Sequence, residues 1–149
     1  MPMLTKDEIK KRIPHRATML LIDEIVEMEE GVRGVGVKHV SDDAFFLDGH
    51  FPGQPVMPGV IIVECLAQTA AVILSKEDDL DSSSSGSITY FGIINNFKFI
   101  RPVFPGSVLI LEVEIVKSIG KMVKIDAQAK VNNKIIAHGE LTFAAQKRK

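Results

Sequence analysis

Two ionisable side chains stand where acid–base chemistry could use them: His50 and, fourteen positions on, Glu64. An imidazole with an ordinary pKa near 6.5 can exchange a proton at neutral pH, and a carboxyl is a natural second proton carrier. Gln68 follows Glu64 by four residues, so on a helix the two share a face. His50 heads the segment HFPGQPVMPG, whose Pro52, Gly53, Pro55, Pro58 and Gly59 exclude helix and central strand. Such a segment is stiff and holds His50 close to whatever follows. No Ser, Thr, Asp or Asn stands just before Pro58, which leaves the amides of Gly59 and Val60 open to an external acceptor. A His, a Glu and two open amides can form an acid–base pair with an oxyanion hole. A carboxylate in this setting can also be purely structural, tied to backbone or to an arginine, and the residue types alone allow both readings.

The element that must position these groups is Val60 to Leu74, almost unbroken apolar sequence interrupted by Glu64, Gln68 and Thr69. Pro58 suits a first helical turn, and fifteen residues without a breaker read as about four turns of helix. A helix apolar on nearly every side is buried on nearly every side. With a carboxylate and fewer than about 20 apolar residues it is not a membrane span. The single cysteine, Cys65, falls within it, next to Glu64; a buried thiol of this kind reads as packing, not as a nucleophile.

The segment HFPGQPVMPGVIIVECLAQ resembles the signature of the (3R)-hydroxyacyl-acyl-carrier-protein dehydratases of the FabZ type. Ile13-Pro14-His15-Arg16 with Leu20-Leu21-Ile22-Asp23, then Tyr90-Phe91 and Lys98 to Gly106, resemble further blocks of that family, so the likeness spans essentially the whole chain. Phe91-Gly92-Ile93-Ile94-Asn95 differs from the common Phe-Ala-Gly-Ile-Asp. The resemblance implies the hot-dog fold and reversible loss of water from a 3-hydroxyacyl thioester on acyl carrier protein, in type II fatty acid biosynthesis, with no metal and no cofactor. It assigns His50 as base at C2, Glu64 as acid for the C3 hydroxyl and the Gly59 amide, beside Val60, as oxyanion donor. Desolvation on the apolar helix is expected to favour protonated Glu64, and Gln68 is expected to orient it.

The resemblance further implies an acyl tunnel beside the helix, lined by Tyr90, Phe91, Ile93 and Phe99, and a carrier-protein contact at Lys98 and Arg101. It implies a homodimer, with trimers of dimers common in the family, whose sites take His and Glu from different subunits. Rival readings are a FabA-type dehydratase/isomerase, which has Asp where Glu64 stands, a hot-dog thioesterase, and an acyl-binding module without turnover. His15, beside Arg16, reads as a structural or surface group.

The rest of the chain supplies strands. Thr5 and Glu8 form a capping box over a short helix, with Leu4 and Ile9 as its hydrophobic staple. Strands are expected over Met19–Met28 and Val32–Val40; Gly34 and Gly36 leave one face of the second bare for close approach of the helix. Further strands are expected over Ile88–Phe99, with a bend at Asn95-Asn96, over Val108–Val116, and on both sides of a two-residue Asn132-Asn133 turn. Leu109, Leu111, Val113 and Ile115 alternate with Glu112 and Glu114, and Ile135, Ala137, Gly139, Leu141 and Phe143 are expected to share the last inner face. The acidic, serine-rich run 76–87 reads as a solvated loop. The fold class is α+β, an antiparallel sheet around one helix, in a single domain over 1–149.

At 149 residues with 46% apolar and 25% charged content, the chain has ordinary globular composition, and a net charge of −1 argues against bulk attraction to nucleic acid. One cysteine permits no internal disulfide, which with no apparent leader suits a cytoplasmic protein; a processed organelle protein would read the same way.

Overall fold

The computed structural model describes residues 3–42, 44–47, 53–75 and 87–147, with the side chains of 87–91 and 145–147 excepted. His50 and the serine-rich run 76–86 lie outside the described residues, as do the side chains of Tyr90 and Phe91. Helix α1 (Lys6–Ile9) opens on the expected capping box: Thr5 Oγ1 accepts from the Glu8 amide and Glu8 Oε1 accepts from the Thr5 amide. Leu4 and Ile9 are both buried beneath it. A 3₁₀ turn over Ala17–Met19 precedes strands β1 (Glu24–Glu29) and β2 (Arg33–His39). Helix α2 (Gly59–Leu74) follows, then β3 (Ser87–Phe99), β4 (Val108–Ile119), β5 (Met122–Val131) and β6 (Lys134–Lys147).

The six strands form one antiparallel sheet in the order β1-β2-β4-β5-β6-β3. Its inner face carries Leu109, Leu111, Val113, Ile125, Ala127, Ala129, Ala137 and Leu141, all buried, and α2 lies against β2, β4 and β5. The bare strip on β2 is where α2 comes closest. A Cβ on Gly34 would fall on the Ile73 side chain, and one on Gly36 would sit 2.8 Å from Thr69 Oγ1. The Asn132-Asn133 turn has φ of 51° and 66°, the left-handed pair that matches strand twist in a two-residue hairpin.

Three expectations change. The first strand does not run from Met19: Met19 ends the 3₁₀ turn, Leu21 gives its amide to a side chain of α2, and pairing with β2 begins only near Glu24. On β6 a register shift opposite Ala129/Lys130 inserts one residue. Ile136 is therefore buried beside Ala137 while Ile135 is only partly buried. Finally, α2 is not enclosed all round. Val60, Glu64, Ala67 and Ala71, spaced three and four apart, form a stripe the sheet leaves uncovered, and Val60 is 76% exposed.

Candidate active site

Glu64 sits on that uncovered stripe, its side chain 36% exposed. Gln68, one turn further on, is buried and fully bonded. Its Oε1 accepts the Leu21 amide at 3.0 Å, and its Nε2 donates to the Met19 carbonyl at 2.8 Å and to Glu64 Oε2 at 3.0 Å. Enclosed in this way, Gln68 cannot touch a ligand; it holds Glu64. On the other side His15 Nε2 approaches Glu64 Oε2 to 3.5 Å. The expectation that desolvation keeps Glu64 protonated is overturned. Burial does push its carboxyl up, but the contact from His15 outweighs it, Gln68 adds to the pull, and the carboxyl lies below its ordinary 4.5.

The start of α2 is uncapped, as its sequence implies. Pro58 offers no side-chain bond, its carbonyl accepts from Ile61 and Ile62, and the Gly59 and Val60 amides have no partner among the described residues. Five residues of helix put Glu64 about 7.5 Å along the axis from these amides. The Phe99 ring lies over Gly59, where a Cβ would sit 2.9 Å from its Cε1. Beside it opens a pocket of about 320 Å³, lined by Met57, Gly59, Ile62, Phe99, Arg101 and Val103 among others. It is mostly apolar, with the Arg101 guanidinium anchored to the Ile135 carbonyl at 2.7 Å.

Of the tunnel residues whose side chains are described, Ile93 is 55% and Phe99 52% exposed, and Phe99 lines the pocket while Ile93 does not. Lys98 and Arg101 line different hollows, Arg101 the pocket beside Gly59. Neighbours on a strand leave on opposite faces, so Lys98 departs from Phe99 and lines a groove on the outer side of the sheet. Cys65 is fully buried, and desolvation pushes its thiol up to about 12, so it is inert packing.

Sequence reasoning missed His15. Its partner is forty-nine residues away on another element, and nothing in local periodicity signals the contact; only its place in the Pro14-His15-Arg16 block did. It also missed Arg12, whose buried guanidinium joins Glu30 (2.9 Å) to the Ser75 carbonyl (3.0 Å) and so ties α1, the β1–β2 turn and the end of α2 together.

A single apolar helix laid into a six-stranded antiparallel sheet defines the hot-dog class. Solved structures agree at the level of fold. The dehydratase heterocomplex ApeI:P from Xenorhabdus doucetiae matches with a TM-score of 0.69 at 18% identity, covering 99% of this chain and 93% of that one. The uncharacterized protein PH1136 from Pyrococcus horikoshii matches with a TM-score of 0.67 at 12% identity, covering 99% and 96%. The FabA-like domain model matches residues 13–140. Among curated relatives, 3-hydroxyacyl-[acyl-carrier-protein] dehydratase FabZ of Clostridium botulinum (strain Loch Maree / Type A3) is 49% identical over 142 residues, 95% of each chain. The protein of the same name from Bacillus cytotoxicus is 43% identical over 147 residues, 99% of each. The chain belongs to the FabA-like family and, within it, to the FabZ type that its sequence motifs resemble.

Proposed function

We propose that this protein catalyses reversible dehydration of a (3R)-hydroxyacyl group carried as a thioester on acyl carrier protein, giving the trans-2-enoyl thioester in fatty acid biosynthesis. The observation that supports it most is Glu64 held by donors on an open helix stripe, within two turns of uncapped amides. His50 takes the C2 proton, Glu64 gives its proton to the C3 hydroxyl, and the C3–O bond breaks to release water. The Gly59 amide, at the positive end of α2, bears the charge that gathers on the thioester oxygen. Afterwards His50 holds the proton taken from C2 and Glu64 is left as the carboxylate, and proton exchange with water resets both groups.

The site is completed by a second copy of the chain. Strand β3, thirteen residues long, closes the sheet, its outer edge unpaired among the described residues, and Ile93 and Ile94 on it are 55% and 63% exposed. The uncovered α2 stripe ends at Val60, also exposed. Joining these surfaces about a two-fold axis covers them and lets His50 of one chain face Glu64 of the other. The acyl chain then runs from the pocket at Gly59 into the seam.

The test is incubation with 3-hydroxybutyryl- and crotonyl-carrier protein while following enoyl-thioester absorbance and free thiol. Interconversion without thiol release is expected. Thiol release would replace the proposal with a thioesterase, and binding without conversion with an acyl-binding module.

A further inference from the structure

The chain treats the two oxygens of Glu64 differently. Oε2 accepts from Gln68 Nε2 at 3.0 Å and faces His15 Nε2 at 3.5 Å, whereas Oε1 meets no donor among the described residues. The other nitrogen of His15, Nδ1, is buried with no hydrogen-bond partner among the described residues. A buried nitrogen with nothing to donate to is best left as a bare lone pair, so the neutral ring carries its proton on Nε2, the nitrogen that faces Glu64. The bend that presents His15 is itself fastened. The Arg16 guanidinium donates to the carbonyls of Lys10 (2.8 Å), Ile13 (2.9 Å) and His15 (2.7 Å). Gln68 clamps the chain just beyond, at Met19 and Leu21.

We propose that His15 is a positioning residue for the proton donor: with Gln68 it fastens Glu64 Oε2, so that Oε1 is the oxygen that delivers the proton to the leaving hydroxyl. This rests on the dehydratase reading above. A proton placed on Oε2 would confront two N–H groups, so it resides on Oε1. In the elimination the Oε1–H bond breaks, its proton passes to the C3 oxygen, and the electrons of the C3–O bond leave with water. The carboxylate left behind keeps both N–H contacts on Oε2. The same contacts make Glu64 a stronger acid toward the departing hydroxyl, at the cost of a smaller protonated fraction near neutrality. His15 is the titratable group that faces Glu64 among the described residues; Gln68 is neutral, and Lys38 and Asp23 act on the buried Cys65 side.

The experiment compares His15→Ala, His15→Gln and His15→Asn with wild type and with Glu64→Gln. Glutamine can place an amide N–H where Nε2 stands, and asparagine only where Nδ1 stands. In His15→Ala, kcat should fall about tenfold with KM within about twofold, a smaller loss than the hundredfold or more expected of Glu64→Gln. His15→Gln should recover most of the loss and His15→Asn little of it. The Glu64 carboxyl titration, followed by ¹³C NMR in the ligand-free protein, should move to higher pH in the alanine and asparagine variants and stay near wild type in glutamine. An unmoved titration with unchanged kcat would overturn the proposal. So would a loss of activity that tracks a lowered melting temperature and is not recovered by glutamine. If alanine fails to fold, the glutamine–asparagine pair decides. Failure of the dehydratase reading shows separately, as a wild type that does not interconvert the carrier-protein thioesters, while the ligand-free titration still reports on His15.

Discussion

Replacing Gln68 by methionine keeps a straight side chain of similar volume on α2 while removing both ends of its amide. The structure says what is then stranded. The Leu21 amide loses its acceptor in a buried setting, the Met19 carbonyl loses its donor in a half-buried one, and Glu64 loses one of its two contacts. A buried polar group left unpaired costs about 1–3 kcal/mol, and the Met19 carbonyl, nearer water, falls at the low end of that range. The Glu64 oxygen is partly exposed and can turn to water, so it adds little. The sum is a destabilisation of about 2–4 kcal/mol. At roughly 4 °C per kcal/mol for a chain of this length, the melting temperature should drop by about 8–16 °C. Thermal unfolding by circular dichroism at neutral pH measures this, with Gln68→Glu as a companion. The glutamate keeps an acceptor for Leu21 but sets a carboxylate against the Met19 carbonyl and Glu64, and should destabilise as well. A melting temperature of Gln68→Met within about 2 °C of wild type would refute the reasoning, because the stretch 19–21 would then not depend on α2 for its backbone bonds.

His50→Ala should fold with an unchanged melting temperature and lose at least about a hundredfold in kcat, the share usual for a general base; near-normal turnover would remove His50 from the chemistry. Cys65→Ala should keep most activity and lose about 1–2 kcal/mol in denaturant unfolding, since a thiol held protonated by burial contributes only packing. Mixing inactive His50→Ala with inactive Glu64→Gln under subunit exchange should restore activity, because one site of each mixed dimer is then intact; continued inactivity, with exchange shown by tagged subunits, would place each site within one chain. Asp126→Thr should stabilise the protein by roughly 0.2–1 kcal/mol in the same unfolding assay, because Asp126 stands directly across from Glu114 on one side and Glu140 on the other.

The parts of the fold that sequence made legible are those set by local chemistry. The capping box at Thr5, the positive-φ asparagine turn and the two-residue alternation of β4 each depend on neighbours within a few positions. The bare face at Gly34 and Gly36 was readable because the absence of a side chain has one obvious use in a strand. The bulge that turns Ile136 inward was not readable, since alternation carried straight through from Ile135 predicts the opposite residue and nothing in the local sequence marks the insertion. The early start of the first strand failed for a different reason. Met19 to Ile22 has strand composition, but its backbone groups are taken by Gln68 from α2, a competition fixed forty-seven residues away.

Glu64 shows why the site was harder to read than the fold. A carboxyl on an apolar helix invites the inference that burial keeps it protonated, and burial does act in that direction. The outcome turns on which side chains reach it, and those come from Gln68 on its own helix and from His15 on a bend that no periodic pattern describes. The chemistry gives a reason for the result. A carboxyl kept neutral by burial alone is a weak acid, slow to release its proton to a hydroxyl that is itself a poor leaving group. In the proposed elimination, N–H contacts confined to Oε2 would favour the carboxylate that forms as water departs, without blocking Oε1. On the proposed mechanism, the geometry therefore exchanges abundance of the acid for strength and direction of proton delivery to the C3 oxygen.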